Sequence, residues 1–166
     1  DLRVFYIKNK KRIPVYSDFE TKKYLLKNFK YSFKNTPSYP SILKIYPLKK
    51  YNIFKDSNIK LNIRSIKVKH GKIECSAFVI NNKCAYLSDV SLVYEKDFKY
   101  FKNLKYLVVD CLRYDPHPSH FNLKNVFEIV DVIKPYKTIL TNMNNEIDYR
   151  RIKKLLPKNI TPAYDG

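Results

Sequence analysis

The apolar run Tyr106-Leu-Val-Val109 ends at Asp110 and leads directly into Cys111-Leu-Arg113-Tyr-Asp115-Pro-His117-Pro-Ser-His120-Phe-Asn122, and no other stretch constrains the fold of this chain as strongly. Consecutive aliphatic and β-branched residues, too few for a membrane helix, are what a strand covered on both faces requires. In open α/β folds, chemistry gathers beyond the carboxyl ends of such strands. Here the segment beyond the strand carries His117, His120 and nearby carboxylates. Pro116 and Pro118 each fix φ and remove a backbone donor, so both imidazoles sit on a stiff loop. Asn122 suits the N-cap of a helix whose apolar residues Leu123, Val126, Phe127, Val130 and Ile133 recur at helical spacing.

The rest of the chain reads around this strand. Arg12 to Tyr16 is a short strand with Pro14 suited to an edge, and Asp18 caps a helix with an apolar face of Phe19, Leu25, Leu26 and Phe29. Lys34 to Pro40, with Pro37 and Pro40, is a loop. After Leu43 to Tyr46, a turn region leads into a strand over Ile59 to Val68. Cys75 to Ile80 and Lys83 to Leu87 flank Asn81-Asn82, and asparagine tolerates the left-handed backbone of a two-residue hairpin turn. Asp89 lies just past that hairpin. A helix through Phe98 and Phe101 precedes the central strand. A strand over Thr138 to Leu140 and a helix carrying Ile152, Leu155 and Leu156 follow it. Strands and hairpins come first, then β and α alternate, so an α/β layered fold is expected.

At 166 residues the chain is long enough to bury a substantial core and is expected to form one domain. No window reaches ~18 consecutive apolar residues, which excludes a membrane-spanning helix. Asp1 to Ile7 lacks an initiator Met and a cleavable signal pattern, so something upstream is expected to be missing. Cys75, Cys84 and Cys111 form no metal-knuckle spacing and are read as reduced thiols of a cytoplasmic protein. The net charge of +18 points toward nucleic acid. The lysines are nonetheless spread along the chain, and a generally basic, solvated surface is the expected reading.

Histidine is scarce, with three in the whole chain: His70, His117 and His120. His70 follows a strand and precedes Gly71, which lets the backbone turn closely. In an α/β fold, His70, Asp89 and the Thr141-Asn142 pair all project from carboxyl ends of strands. Neutral imidazole and carboxylate are the ligands that hold zinc, manganese or iron, and a carboxylate can bridge two ions.

Several segments occur together and in order: Arg12-Ile-Pro-Val-Tyr16-Ser-Asp18, Tyr39-Pro40-Ser-Ile42-Leu43, Val68-Lys-His70-Gly71, Ala85-Tyr-Leu-Ser-Asp89-Val90, the Val109 to Phe121 segment, Ile139-Leu-Thr-Asn142-Met and Pro162-Ala-Tyr-Asp165-Gly166. In this the chain resembles the metallo-β-lactamase-fold hydrolases, and in particular the branch similar to phosphoribosyl 1,2-cyclic phosphate phosphodiesterase. The resemblance implies an incomplete αββα sandwich with mixed sheets and flanking helices. One partial domain over residues 1–166 would lack its first strands and its closing strand. It makes His70 a metal ligand and Asp89 the carboxylate bridging two divalent ions, zinc or manganese. His120 becomes the general acid beside a phosphodiester or nucleotide-like substrate, with His117 as the second candidate.

The chain departs from that family in two ways. The His-x-His-x-Asp-His motif, which supplies most of the family's ligands, would lie just upstream of Asp1. Where relatives place a further metal-binding histidine this chain has Asn142, and Asn144 occupies the alternative position. An amide oxygen is a poor substitute for imidazole on a zinc-like ion. The chain alone is therefore expected to be inactive and not to retain the two ions, unless the missing N-terminal segment or another copy of the chain completes the site. Two other readings compete with this one: a degenerate non-catalytic binding or relic protein, and a basic nuclease relative that processes RNA or DNA.

Overall fold

The computed structural model describes residues 2–37, 39–56 and 59–165. Asp1 and Gly166 at the ends of two quoted segments, Ser38 in the expected loop, and Ser57 and Asn58 lie outside the described residues. The chain divides into two compact units, Asp1–Lys49 and Lys50–Gly166.

The first unit is a βαβ arrangement preceded by a short helix. Helix α1 (Arg3–Asn9) buries none of its residues. Strand β1 (Ile13–Ser17) pairs in parallel with β2 (Leu43–Pro47). Both strands of a two-stranded sheet are edges, which is where Pro14 is tolerated. The register places Tyr16 opposite Tyr46, and their rings stack with centroids 5.4 Å apart. Helix α2 (Phe19–Asn28) starts where Asp18 accepts a hydrogen bond from the Thr21 amide at 2.9 Å. Only Leu25 and Leu26 of its expected face are half-buried, while Phe19 is 74% exposed. The short α3 (Lys30–Phe33) follows.

The second unit is built on a seven-stranded sheet ordered β3-β4-β5-β6-β7-β8-β9. Strand β3 (Tyr51–Asp56) occupies the region read from sequence as a turn. It pairs antiparallel with β4 (Ile59–His70), which runs two residues past the expected Val68. In β4 the core-facing side chains are Ile66 and Val68, with Lys67 and Lys69 exposed between them. Strands β5 (Ile73–Ile80) and β6 (Cys84–Leu87) form the expected hairpin, with Asn81 and Asn82 at φ 52° and 54°. Three residues rather than two separate the paired Ile80 and Cys84. The Lys83 carbonyl accepts from the amides of Lys105 and Tyr106 at 2.7 and 3.0 Å, which draws Lys83 out of the hairpin toward the next strand.

The segment Glu95–Phe101 is a 3₁₀ helix rather than an α-helix and buries only Phe101. Strand β7 (Tyr106–Asp110) is the apolar run itself, with Leu107 and Val109 inaccessible to solvent. Helix α4 (Leu123–Ile133) begins in a capping box: Asn122 accepts from the Asn125 amide at 2.9 Å, and Asn125 accepts from the Asn122 amide at 3.3 Å. Its buried stripe is Val126, Ile129, Val130 and Ile133. Strands β8 (Lys137–Thr141) and β9 (Ile160–Pro162) continue the sheet in parallel, joined by helix α5 (Tyr149–Leu155).

The topology fixes where chemistry gathers. Strands β4 and β6 both run antiparallel to β5, so they share one direction, and β7, β8 and β9 follow β6 in parallel. His70 ends β4, Asp89 lies two residues past β6, Asp110 ends β7 and Asn142 follows β8, so all four stand at one end of one sheet. Among the described residues, no helix is long and apolar enough to cross a membrane.

Candidate metal centre

One ligand atom from each of His70, Asp89 and His120 lies within 4.8 Å of the other two. Neighbouring groups decide which imidazole nitrogen is available. His70 Nδ1 lies 2.8 Å from the Ser119 carbonyl oxygen. A carbonyl only accepts, so Nδ1 carries the proton and Nε2 keeps its lone pair. His120 Nδ1 lies 2.6 Å from Oδ2 of Asp110. An ionised carboxylate likewise only accepts, so Nδ1 again carries a proton and Nε2 is the nitrogen that Asp110 does not engage. It is bare in the neutral ring and an N–H donor in the imidazolium. The two rings meet edge to face, with centroids 4.6 Å apart.

Asp110 was legible in the sequence only as the end of a strand. The structure buries it completely, and its Oδ2 accepts from both His120 and the Val90 amide, the latter at 3.3 Å. Burial pushes the Asp110 carboxyl above the usual carboxylate range, opposed by the hydrogen bond and charge of His120 and by the Val90 amide. Among the described residues, Oδ1 has no hydrogen-bond partner. A buried carboxylate closing an apolar strand needs a partner, and that requirement was the available signal. Carboxylate–imidazole pairs of this kind orient the histidines of metal sites.

The loop is stapled from within. Arg113 Nη2 donates to the Pro116 carbonyl at 2.7 Å and Nε to the Asp115 carbonyl at 3.3 Å, so its guanidinium serves the loop's own backbone. The Leu112 amide donates to Phe121, and the Leu123 amide to Arg113, which closes the loop ends at 2.9 and 3.1 Å. Gly71 sits at φ 60°, where a Cβ would stand 2.9 Å from Ser119 Cβ. Gly71→Ala is therefore expected to lower unfolding free energy by roughly 1–3 kcal/mol, from left-handed strain plus the collision. It would also push the Ser119 carbonyl off His70. Urea unfolding checks this, and an unchanged midpoint would mean that the loop yields freely.

The remaining candidates fall around the cluster. His117 has its ring 5.2 Å from that of His120, and its Nδ1 accepts from the Ser119 amide at 3.3 Å. Its pKa is lowered by partial burial, then by Arg113, His120 and His70. Asn142 takes a left-handed backbone at φ 58° and donates its amide to the Ser88 carbonyl, tying β8 to the residue before Asp89. Asn144 accepts from the Glu146 amide at 3.0 Å, so its side chain is engaged in its own turn. Cys111 beside Asp110 is fully buried, and burial with the neighbouring carboxylate pushes its thiol up to about 12. It stays a neutral thiol and offers no thiolate ligand.

Imidazole and carboxylate donors fit a zinc- or manganese-type ion. Such ligands, at about 2.1 Å from a tetrahedral ion, lie roughly 3.4 Å from one another. At up to 4.8 Å the cluster has the right donors but is more open than a closed site.

The sequence pattern of the beta-lactamase superfamily domain matches residues 1–143, and the chain belongs to that family, the metallo-β-lactamase-fold hydrolases. A diphosphatase from the PhnP family superposes with a TM-score of 0.81 at 25% identity, over 94% of this chain and 57% of that one. The chain thus spans less than two thirds of that structure's length. Zn²⁺-bound PqqB from Methylobacterium extorquens superposes at 0.70 and 13% identity, over 96% of this chain and 65% of that one. The short form of human tRNase Z superposes at 0.64 and 14% identity, over 95% and 66%. A search of curated proteins returns no match.

Proposed function

We infer that residues 1–166 carry one side of a metal-dependent phosphodiester hydrolase site and are inactive alone, the other ligands being supplied from outside this stretch. The observation that carries the reading is the convergence of His70, Asp89 and His120 within 4.8 Å, with Nδ1 of His70 on the Ser119 carbonyl and Nδ1 of His120 on Asp110, which leaves Nε2 of each ring for chemistry. The 25% identity to a diphosphatase supports phosphoryl chemistry on a small phosphodiester or nucleotide-like substrate.

In this reading His70 and Asp89 would hold divalent ions such as zinc or manganese, and Asn142 stands at a weakened ligand position. Bound divalent ions supply charge stabilisation for the phosphoryl oxygens and acidify the attacking water. His120 works in the imidazolium form. Its Nδ1–H stays on Asp110 while its Nε2–H passes a proton to the leaving oxygen as the P–O bond breaks. The buried Asp110 carboxylate orients the ring and balances its positive charge. His117, with its Nδ1 occupied and its pKa lowered, is the secondary candidate.

The test compares hydrolysis of bis-nitrophenyl phosphate by this chain with that by a longer protein carrying a His-x-His-x-Asp-His segment ahead of residue 1 together with Asn142→His. The reading expects activity only in the longer protein. Equal activity in both would overturn it, and none in either would favour a relic whose His70 and His120 serve only to hold the loop.

A further inference from the structure

The charge of this chain looks diffuse in sequence, yet the fold of the second unit gathers part of it on one aromatic ring. Tyr100, in the 3₁₀ segment, has three cations around it: the Arg64 guanidinium 4.3 Å from the ring centroid, Lys99 at 5.2 Å and Lys50 at 5.6 Å. Among the described residues, no other ring collects more than one cation. Arg64 also lies 5.4 Å from the ring of Tyr51, its register partner across β3 and β4. Tyr51 is 44% exposed. Lysine 50 precedes β3, Arg64 lies in β4 and Tyr100 lies thirty-six residues further on, so only the strand register and the packing of the 3₁₀ segment bring them together.

Three like charges on one small surface repel one another. Glu95 and Asp97 lie on the same 3₁₀ segment as Lys99 and Tyr100. Among the described residues, though, no carboxylate stands within ion-pair distance of Lys50, Arg64 or Lys99. The tyrosine faces offset part of the repulsion, and an anion would remove more of it. An acidic peptide would need only the charges. A patch that sets a planar guanidinium within 5.4 Å of two ring centroids and leaves one ring open to solvent offers stacking as well, and cations beside stacking rings are the chemistry of single-strand recognition.

We propose that Tyr51, Arg64 and Tyr100, flanked by Lys50 and Lys99, form a binding surface for single-stranded nucleic acid, with bases stacking on Tyr51 and phosphates on the cations. This surface is separate from the metal cluster. Arg64 and His70 lie on the same face of β4 six residues apart, roughly 20 Å at the rise of a strand. The proposal therefore stands whether or not the cluster is catalytic.

The test is fluorescence anisotropy of a labelled single-stranded oligo-uridine with the whole chain, titrated at several salt concentrations. Three phosphate contacts contribute about −2 to the slope of log K against log salt, at about −0.7 each. Arg64→Ala should make the slope shallower by about 0.7, whereas Arg64→Lys should keep the slope. Tyr51→Ala should weaken binding roughly five- to 150-fold and leave the slope unchanged, because it removes stacking and no charge. Lys158→Ala, on a lysine outside the patch, should change neither, and far-UV circular dichroism confirms that each variant is folded. Two results would overturn the proposal. One is Tyr51→Ala and Arg64→Ala binding no worse than Lys158→Ala, which would mean diffuse attraction to a basic protein. The other is poly-glutamate competing as well as the oligonucleotide, which would mean an acidic-peptide surface.

Discussion

In the longer protein carrying the restored ligand segment and Asn142→His, His120→Ala is expected to lower turnover of bis-nitrophenyl phosphate by roughly 10²–10⁴-fold while metal content stays the same. The expectation rests on geometry. His120 lies in the cluster with His70 and Asp89, but its Nδ1 is held by a carboxylate that can balance a positive charge on the ring, which suits a proton donor. Metal content and rate separate the possible roles. Equal loss of both would make His120 a ligand, and loss of neither would leave it without a chemical part. The substitution also strands the buried Asp110 carboxylate with only the Val90 amide, so the variant should lose roughly 3 kcal/mol of stability. Turnover is therefore compared below the unfolding temperature of each variant.

Asp110→Asn provides the second large effect and tests whether Asp110 acts through His120. An amide can place its oxygen where Oδ2 now accepts from Val90 and His120, so the local hydrogen bonds survive. The negative charge is lost and the imidazolium is no longer balanced. Turnover should fall by at least tenfold, and by no more than the loss seen in His120→Ala, within the range of roughly 10²–10⁴ for a general acid. Groups acting as one unit are not additive. The double variant His120→Ala with Asp110→Asn should therefore be no slower than His120→Ala, and more stable than it, because the stranded charge is gone. A double variant slower by the product of the two single losses would mean that Asp110 has a separate role.

The parts of the fold that were legible in sequence are those with a strong local signal. The apolar run of β7, the 3.6-residue stripe of α4 behind Asn122, and the left-handed tolerance of Asn81 and Asn82 each fix their element without outside help. Strand β3 was not legible because Tyr51-Asn-Ile-Phe-Lys-Asp56 mixes polar and apolar residues without clean alternation, and its pairing with β4 supplies what the pattern lacks. The 3₁₀ segment carries Phe98 and Phe101 at helical spacing, but only Phe101 is buried, too little packing to extend an α-helix. At the site, the residue types of His70, Asp89 and His120 were readable, since histidine is scarce, His70 and Asp89 stand at strand ends and His120 lies in the rigid loop after β7. The partners that set their protonation were not. The Ser119 carbonyl meets His70 across forty-nine residues, and Asp110 looks like an ordinary strand end until its burial is known.

Elemental analysis tests the central claim most directly. These 166 residues, purified and dialysed against a weak chelator, are expected to retain less than one equivalent of zinc or manganese per chain, and Asp89→Ala should make little further difference. His70 and Asp89 alone, beside an amide at Asn142, do not make a closed site. Two equivalents of either metal surviving dialysis, and lost in Asp89→Ala, would contradict the account and show that this stretch holds a complete dinuclear centre by itself.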